Sequence, residues 1–159
     1  AQLHAQKNKN LSTDFTQEFY SALRDKTSLS KGHLFLKDSL FKFEIVSPRS
    51  QIIVNDGKFV WKYEKEFHLA EKYSLSSREM QFVRLLNYLN DFEKVYTLVE
   101  GEVDPTNSNF ITLTLKPVKT NPDQRTLNLR VETQTGFVHQ LSLTDNNGNK
   151  TKFIFGNFK

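Results

Sequence analysis

Hydrophobic and polar residues alternate along most of the chain with the period of two that marks β-strands. Phe15, Gln17 and Phe19 fall on one side of an extended segment, with Thr16, Glu18 and Tyr20 on the other. Leu34-Phe35-Leu36 is apolar on both sides. Phe41, Phe43 and Ile45 alternate with Lys42, Glu44 and Val46, and Gln51–Val54 is a β-branched run. Phe59, Trp61 and Tyr63 alternate with Val60, Lys62 and Glu64. Lys37-Asp38-Ser39 and Ser47-Pro48-Arg49-Ser50 supply connections, and Asn55-Asp56-Gly57-Lys58 contains the Asp-Gly pair of a type I′ hairpin.

The pattern changes at 77–90. Met80, Val83, Leu86 and Leu89 recur at helical spacing, and Ser76 with Glu79 forms a capping-box signature. Strand composition returns at Val95–Glu102, Phe110–Lys116, Arg125–Glu132, Phe137–Leu143 and Thr151–Phe155, with Asp-Pro, Asn-Pro and Gly-containing turns between. Short connections imply antiparallel neighbours. The pattern predicts about ten or eleven strands, one helix and a single domain over 1–159, with 1–13 a short polar arm or helix.

A sheet of that width accumulates twist and curls. One side of most strands is polar and the other aromatic or aliphatic, so one face needs cover. The helix offers a single apolar stripe, too little to fill the inside of so many strands. The surplus apolar area either packs on itself as an ordinary core or surrounds an apolar guest.

Composition narrows the chemistry. Of 159 residues, 14 are Phe, against one Trp and one Met, so the large rings can build one apolar surface. Cys is absent from these residues, so neither disulfides, thiolate metal sites nor an N-terminal lipid-modified Cys is expected. No run reaches the roughly 18–20 apolar residues of a membrane-spanning helix. His4, His33, His68 and His139 lack the spacing of metal ligands, and no catalytic motif is present, so neither a catalytic centre nor a cofactor is predicted. The 22 basic and 18 acidic residues leave a net charge of +4, but they interleave, as in Lys62-Tyr63-Glu64-Lys65-Glu66. That does not make the basic stripe a nucleic acid needs. The start at Ala1-Gln2 fits an exported protein whose signal peptide was removed before Ala1.

The order of these segments resembles the outer-membrane lipoprotein carrier proteins of the LolA type. The resemblance rests on Phe15-Thr-Gln17, then Gly32-His-Leu-Phe-Leu-Lys37, Phe41-Lys-Phe43, Pro48, Gln51–Lys58 with its Asp56-Gly57-Lys58, and Trp61-Lys-Tyr63. Gly136, and Asp145–Asn149 before a Phe-x-Phe strand, follow in the same order. It implies an incomplete, unclosed antiparallel β-barrel with a helical lid, in a periplasmic protein that is not an enzyme. Its partners would be acylated lipoproteins, received from an inner-membrane ABC-type lipoprotein-releasing complex and, in proteobacteria, passed to an outer-membrane acceptor. A monomer is the default for such a shuttle. The acyl-chain cavity would be lined by Phe15, Phe19, Leu36, Phe41, Phe43, Ile45, Val54, Trp61 and Tyr63, with Met80, Val83 and Leu86 from the lid. Family members carry a longer N-terminal helix, and a basic residue and Pro after the second strand. Here Lys37-Asp38-Ser39 stands at that place, and Asp38 cannot donate the hydrogen bonds of a basic latch. A general carrier of apolar ligands, or an envelope sensor or interaction module, would fit the same fold.

Overall fold

The computed structural model describes residues 10–38, 40–74, 96–119 and 126–159. They form eleven strands: β1 (Leu11–Ser21), β2 (Lys26–Lys37), β3 (Leu40–Ser47), β4 (Gln51–Asn55), β5 (Phe59–Glu64), β6 (Leu69–Ser74), β7 (Tyr96–Val103), β8 (Phe110–Pro117), β9 (Thr126–Glu132), β10 (Val138–Thr144) and β11 (Lys150–Gly156). All lie in one antiparallel sheet of order β6-β5-β4-β3-β2-β1-β11-β10-β9-β8-β7. The sheet is unclosed, with β6 and β7 as its two edges. The chain begins at the centre, walks outward to β6, resumes at the opposite edge and walks back to β11 beside β1. The helix expected at 77–90 lies outside the described residues.

Local chemistry places the turns. At the β4–β5 hairpin the two central residues are Gly57 and Lys58, one position later than the Asp-Gly pair predicted. The Asp56 N–H donates to the Phe59 carbonyl at 3.2 Å, and Gly57 takes the positive φ of 92°. The Asp56 side chain then accepts from the N–H groups of Lys58 and Phe59 at 2.9 and 2.8 Å. This wins over a type I′ turn because Asp56 satisfies two backbone donors while Gly alone takes the left-handed conformation.

Two strands depart from the sequence pattern. β6 was not predicted, since its inner positions Leu69, Glu71 and Tyr73 mix apolar with charged. The first half of β2 is also polar, and it is held by pairing with β1 from Leu29↔Glu18 to Lys26↔Ser21. Gly32 sits at a register shift between β2 and β3. A Cβ there would lie 1.9 Å from the Glu44 carbonyl oxygen, so only glycine lets the two backbones approach.

Candidate functional site

Directly opposed residues in a sheet point to the same side, so the register traces each face across all eleven strands. From Phe43 it runs to Leu34 and Thr13 in one direction and to Ile53 and Lys62 in the other. Phe15 lies opposite Gly32 and Phe155. Phe153, Leu141, Leu129 and Leu113 form one row through four strands. These positions define an inner face, and every buried hydrophobic side chain among the described residues lies on it.

A line of rings crosses its middle. Phe15 meets Phe43 edge-on with centroids 5.3 Å apart, and Phe43 meets Phe41 at 5.8 Å. Phe15 approaches Phe153 at 6.1 Å, and Phe153 stacks on Phe155 at the same separation. Tilted and edge-on pairs at these distances add attraction beyond the area they bury.

Of the expected cavity residues, Phe15, Phe41 and Phe43 are buried on this face, and Leu36 and Ile45 pack half-buried beside them. Phe19 shares the face but is 38% exposed. Met80, Val83, Leu86 and the lid lie outside the described residues. Val54, Trp61 and Tyr63 are on the opposite, outer face, which corrects the expectation that they join Phe41 and Phe43. Loop parity is the cause. Ile45 pairs with Gln51 across an odd number of residues, 46–50, so odd positions of β4 share the inner face with odd positions of β3. Val54 therefore points outward, and Trp61 and Tyr63 follow it through the pairs Val54↔Trp61 and Ile52↔Tyr63. Trp61 Nε1 is then anchored outside by donating to Asp56 at 2.9 Å.

The same inversion turns polar groups inward at this end. Lys62 lies 2.6 Å from Glu64 and 3.8 Å from Glu71, and the Tyr73 hydroxyl donates to Glu71 at 2.9 Å. The inner face is thus largely apolar over β1–β3 and β8–β11, while on β5 and β6 Val60 and Tyr73 join the apolar side and Lys62, Glu64 and Glu71 form an ionic patch. Sequence reasoning also missed its second half, where Leu113, Leu115, Leu127, Leu129, Val131, Leu141, Leu143, Phe153 and Phe155 are buried. The signal was present: Leu127, Leu129 and Val131 alternate with Thr126, Asn128 and Arg130.

Carboxylates with lowered pKa lie elsewhere. Asp14, on the outer face of β1, is lowered by hydrogen bonds from Asn157 and His33. Asp56 is held at about 2 by the Phe59 N–H, Trp61 and the Lys58 N–H. Asp104, after β7, is held at about 2 by Thr106, through hydroxyl and N–H, and by Arg130. All three stabilise turns or strand pairs. Among the described residues no cluster of side chains could hold a metal ion. What the inner face offers chemically is apolar area and rings, which act by burial.

A family model for the outer membrane lipoprotein carrier protein LolA matches residues 6–159. The chain belongs to the LolA family. Members of the LolA family are periplasmic lipoprotein carriers and are not enzymes. An outer-membrane lipoprotein carrier protein of Neisseria meningitidis serogroup C is 29% identical over 151 residues, covering 92% of this chain and 68% of that protein. Its counterpart in Chromobacterium violaceum is 28% identical over 149 residues, covering 92% and 69%. The crystal structure of a LolA superfamily protein from Nitrosomonas europaea aligns with a TM-score of 0.50 at 12% identity, over 99% of this chain and 88% of that one. At that identity the likeness concerns the fold alone. The unclosed eleven-stranded sheet of this LolA-family chain is the arrangement that the order of its segments implied.

Proposed function

We propose that this LolA-family chain binds the acyl chains of lipoproteins against the inner face of its sheet and carries them across the periplasm. The observation that supports this reading best is the line of rings Phe41, Phe43, Phe15, Phe153 and Phe155, gathered from three separate strands onto one face. Acyl chains held there would leave water, at roughly 0.8 kcal/mol per CH₂ buried. The rings are buried in the described state, with Phe41 at 4% and Phe43 at 3% exposure. Cargo entry would then require the side chains packed against these rings to give way, and the cost of moving them would offset part of the binding energy. That offset lets a carrier release what it has bound. Half-exposed Phe19, with Leu36 and Ile45, would form the margin of the site. The giver would be an inner-membrane ABC-type lipoprotein-releasing complex and the receiver an outer-membrane acceptor.

The test is release of a lipoprotein from membrane vesicles bearing the cognate releasing complex, with native mass spectrometry of the product. A complex of one chain with one triacylated lipoprotein is expected. Phe41→Glu is expected to abolish it while circular dichroism still reports a folded sheet. Because Phe41 packs in the core, the half-exposed Phe19→Glu serves as a second variant, with a severalfold loss expected. Full release activity in both variants, each folded, overturns the assignment of the inner face.

A further inference from the structure

The outer face carries a second apolar surface that the carrier reading leaves unused. Phe35, Leu40, Phe59, Trp61 and Tyr63 point outward from β2, β3 and β5, each exposed, at 36–41%. The register aligns a row straight across five strands: Phe35, Lys42, Val54, Trp61, Lys72. Three apolar side chains and two lysines share it. The Lys72 ammonium sits 3.7 Å from the centroid of Phe59 and 5.2 Å from that of Trp61. The Lys42 ammonium sits 5.6 Å from the centroid of Phe35. Lys37, opposite Leu40, and Lys58, in the β4–β5 turn, extend the basic margin.

We infer that this outer face of β2–β6 docks on the surface of an anionic phospholipid bilayer. Rings with an apolar body, beside lysines whose heads stand over them, match the depth at which acyl chains meet phosphates. The acids on this face are largely engaged. Glu44 is paired with Lys42, and Asp56 accepts from Trp61 and two backbone N–H groups. Asp38 lies at the margin, in the β2–β3 turn. Lys37, Lys58 and Lys72 form no ion pair within 4.0 Å with a described acid, and although Lys72 acts on the Asp56 carboxylate from a distance, Lys37 and Lys58 present their charge to phosphates. Two alternatives fit less well. The cores of protein interfaces are depleted of lysine, whereas here lysine takes two of the five positions of the row. Single-stranded nucleic acid needs open ring faces for stacking, and Lys42 and Lys72 lie over those faces.

Vesicle flotation tests this, read by the emission of Trp61, the only Trp in the chain. Phosphatidylcholine vesicles containing phosphatidylglycerol should carry the protein upward at low salt. Binding should shift Trp61 emission to the blue and shield it from acrylamide. Pure phosphatidylcholine, or molar salt, should abolish both effects. Lys72→Gln should weaken partitioning about fivefold, and adding Lys37→Gln should weaken it by about as much again. Both lysines lie off the inner face, so the double variant should still hold acyl cargo, and loss of docking is read separately from loss of carriage. No flotation at low salt overturns the inference. So does flotation unchanged in the folded double variant, or flotation with unaltered Trp61 emission. A concentration-dependent dimer abolished by Phe59→Ser would assign the face to a second copy instead. Binding to oligothymidylate without vesicle binding would assign it to nucleic acid.

Discussion

Asp104 and Asp56 each hold a turn with one carboxylate. Asp104 accepts from the Thr106 hydroxyl at 2.6 Å and N–H at 2.9 Å, and from Arg130 Nε at 2.9 Å, so it ties the β7–β8 turn to β9. Arg130 in turn lies over the Phe110 ring at 3.8 Å. These donors favour the ionised form, which lowers the pKa from 3.8 to about 2 in the folded state. A lowered pKa contributes stability that is complete above the unfolded value and is lost as pH falls through the folded one. Asp104→Asn is therefore expected to lower the urea midpoint at neutral pH. The gap to the parent chain should close as pH falls from about 4 to about 2, and a gap independent of pH would contradict the ionic role. The sequence offered Asp104-Pro105 only as a turn marker. Its clamp on Arg130 needs two strands brought together, and neither residue's neighbours in the chain announce it.

Alternation decides which residues of a strand travel together, and at the element scale it was legible almost throughout. On β9 the residues Leu127, Leu129 and Val131 are all buried, while Thr126, Asn128 and Arg130 are not. Leu129→Ala is expected to cost about 2–5 kcal/mol in denaturant unfolding. On β8, Thr112→Ala, an exposed position facing outward, should stay within about 0.5 kcal/mol of the parent. Equal effects at the two positions would contradict the facing. The pattern was less informative on β5, where the aromatic side looked like the core side. Phe59, Trp61 and Tyr63 face outward because pairing with β4 couples them to Ile52 and Val54. Counting apolar rings within one strand cannot reveal that, since a shift of one residue in a neighbouring loop reverses the facing of everything beyond it.

At the scale of the molecule, the sheet is centred on its most distant sequence partners. Thr13 Oγ1 donates to the Gly156 carbonyl at 2.6 Å across a separation of 143 residues. β1 lies between β2 and β11, while among the described residues β6 and β7 have strand neighbours on one side only. Amide hydrogen exchange should therefore be slowest in β1, β2 and β11 and fastest in β6 and β7, the edges of the described sheet. Slow exchange at the edges with fast exchange in β1 would contradict this order of stability. Closing a sheet through its chain ends also delays its best contacts, so folding should be slow for the chain's length. On β7 the exposed Leu98, Val99 and Val103 are interspersed with Glu100 and Glu102, next to a register shift, features that discourage edge-to-edge pairing.

The sequence by itself determined ten of the eleven strands, most of the turn positions, the antiparallel pairing of neighbours and the family, because period-two alternation and turn residues are local properties. Tertiary structure alone decided which apolar stripe faces inward on each strand, the ring line from Phe41 to Phe155, and the ionic end around Lys62. Those depend on register and loop parity, which act between strands and leave no mark within one.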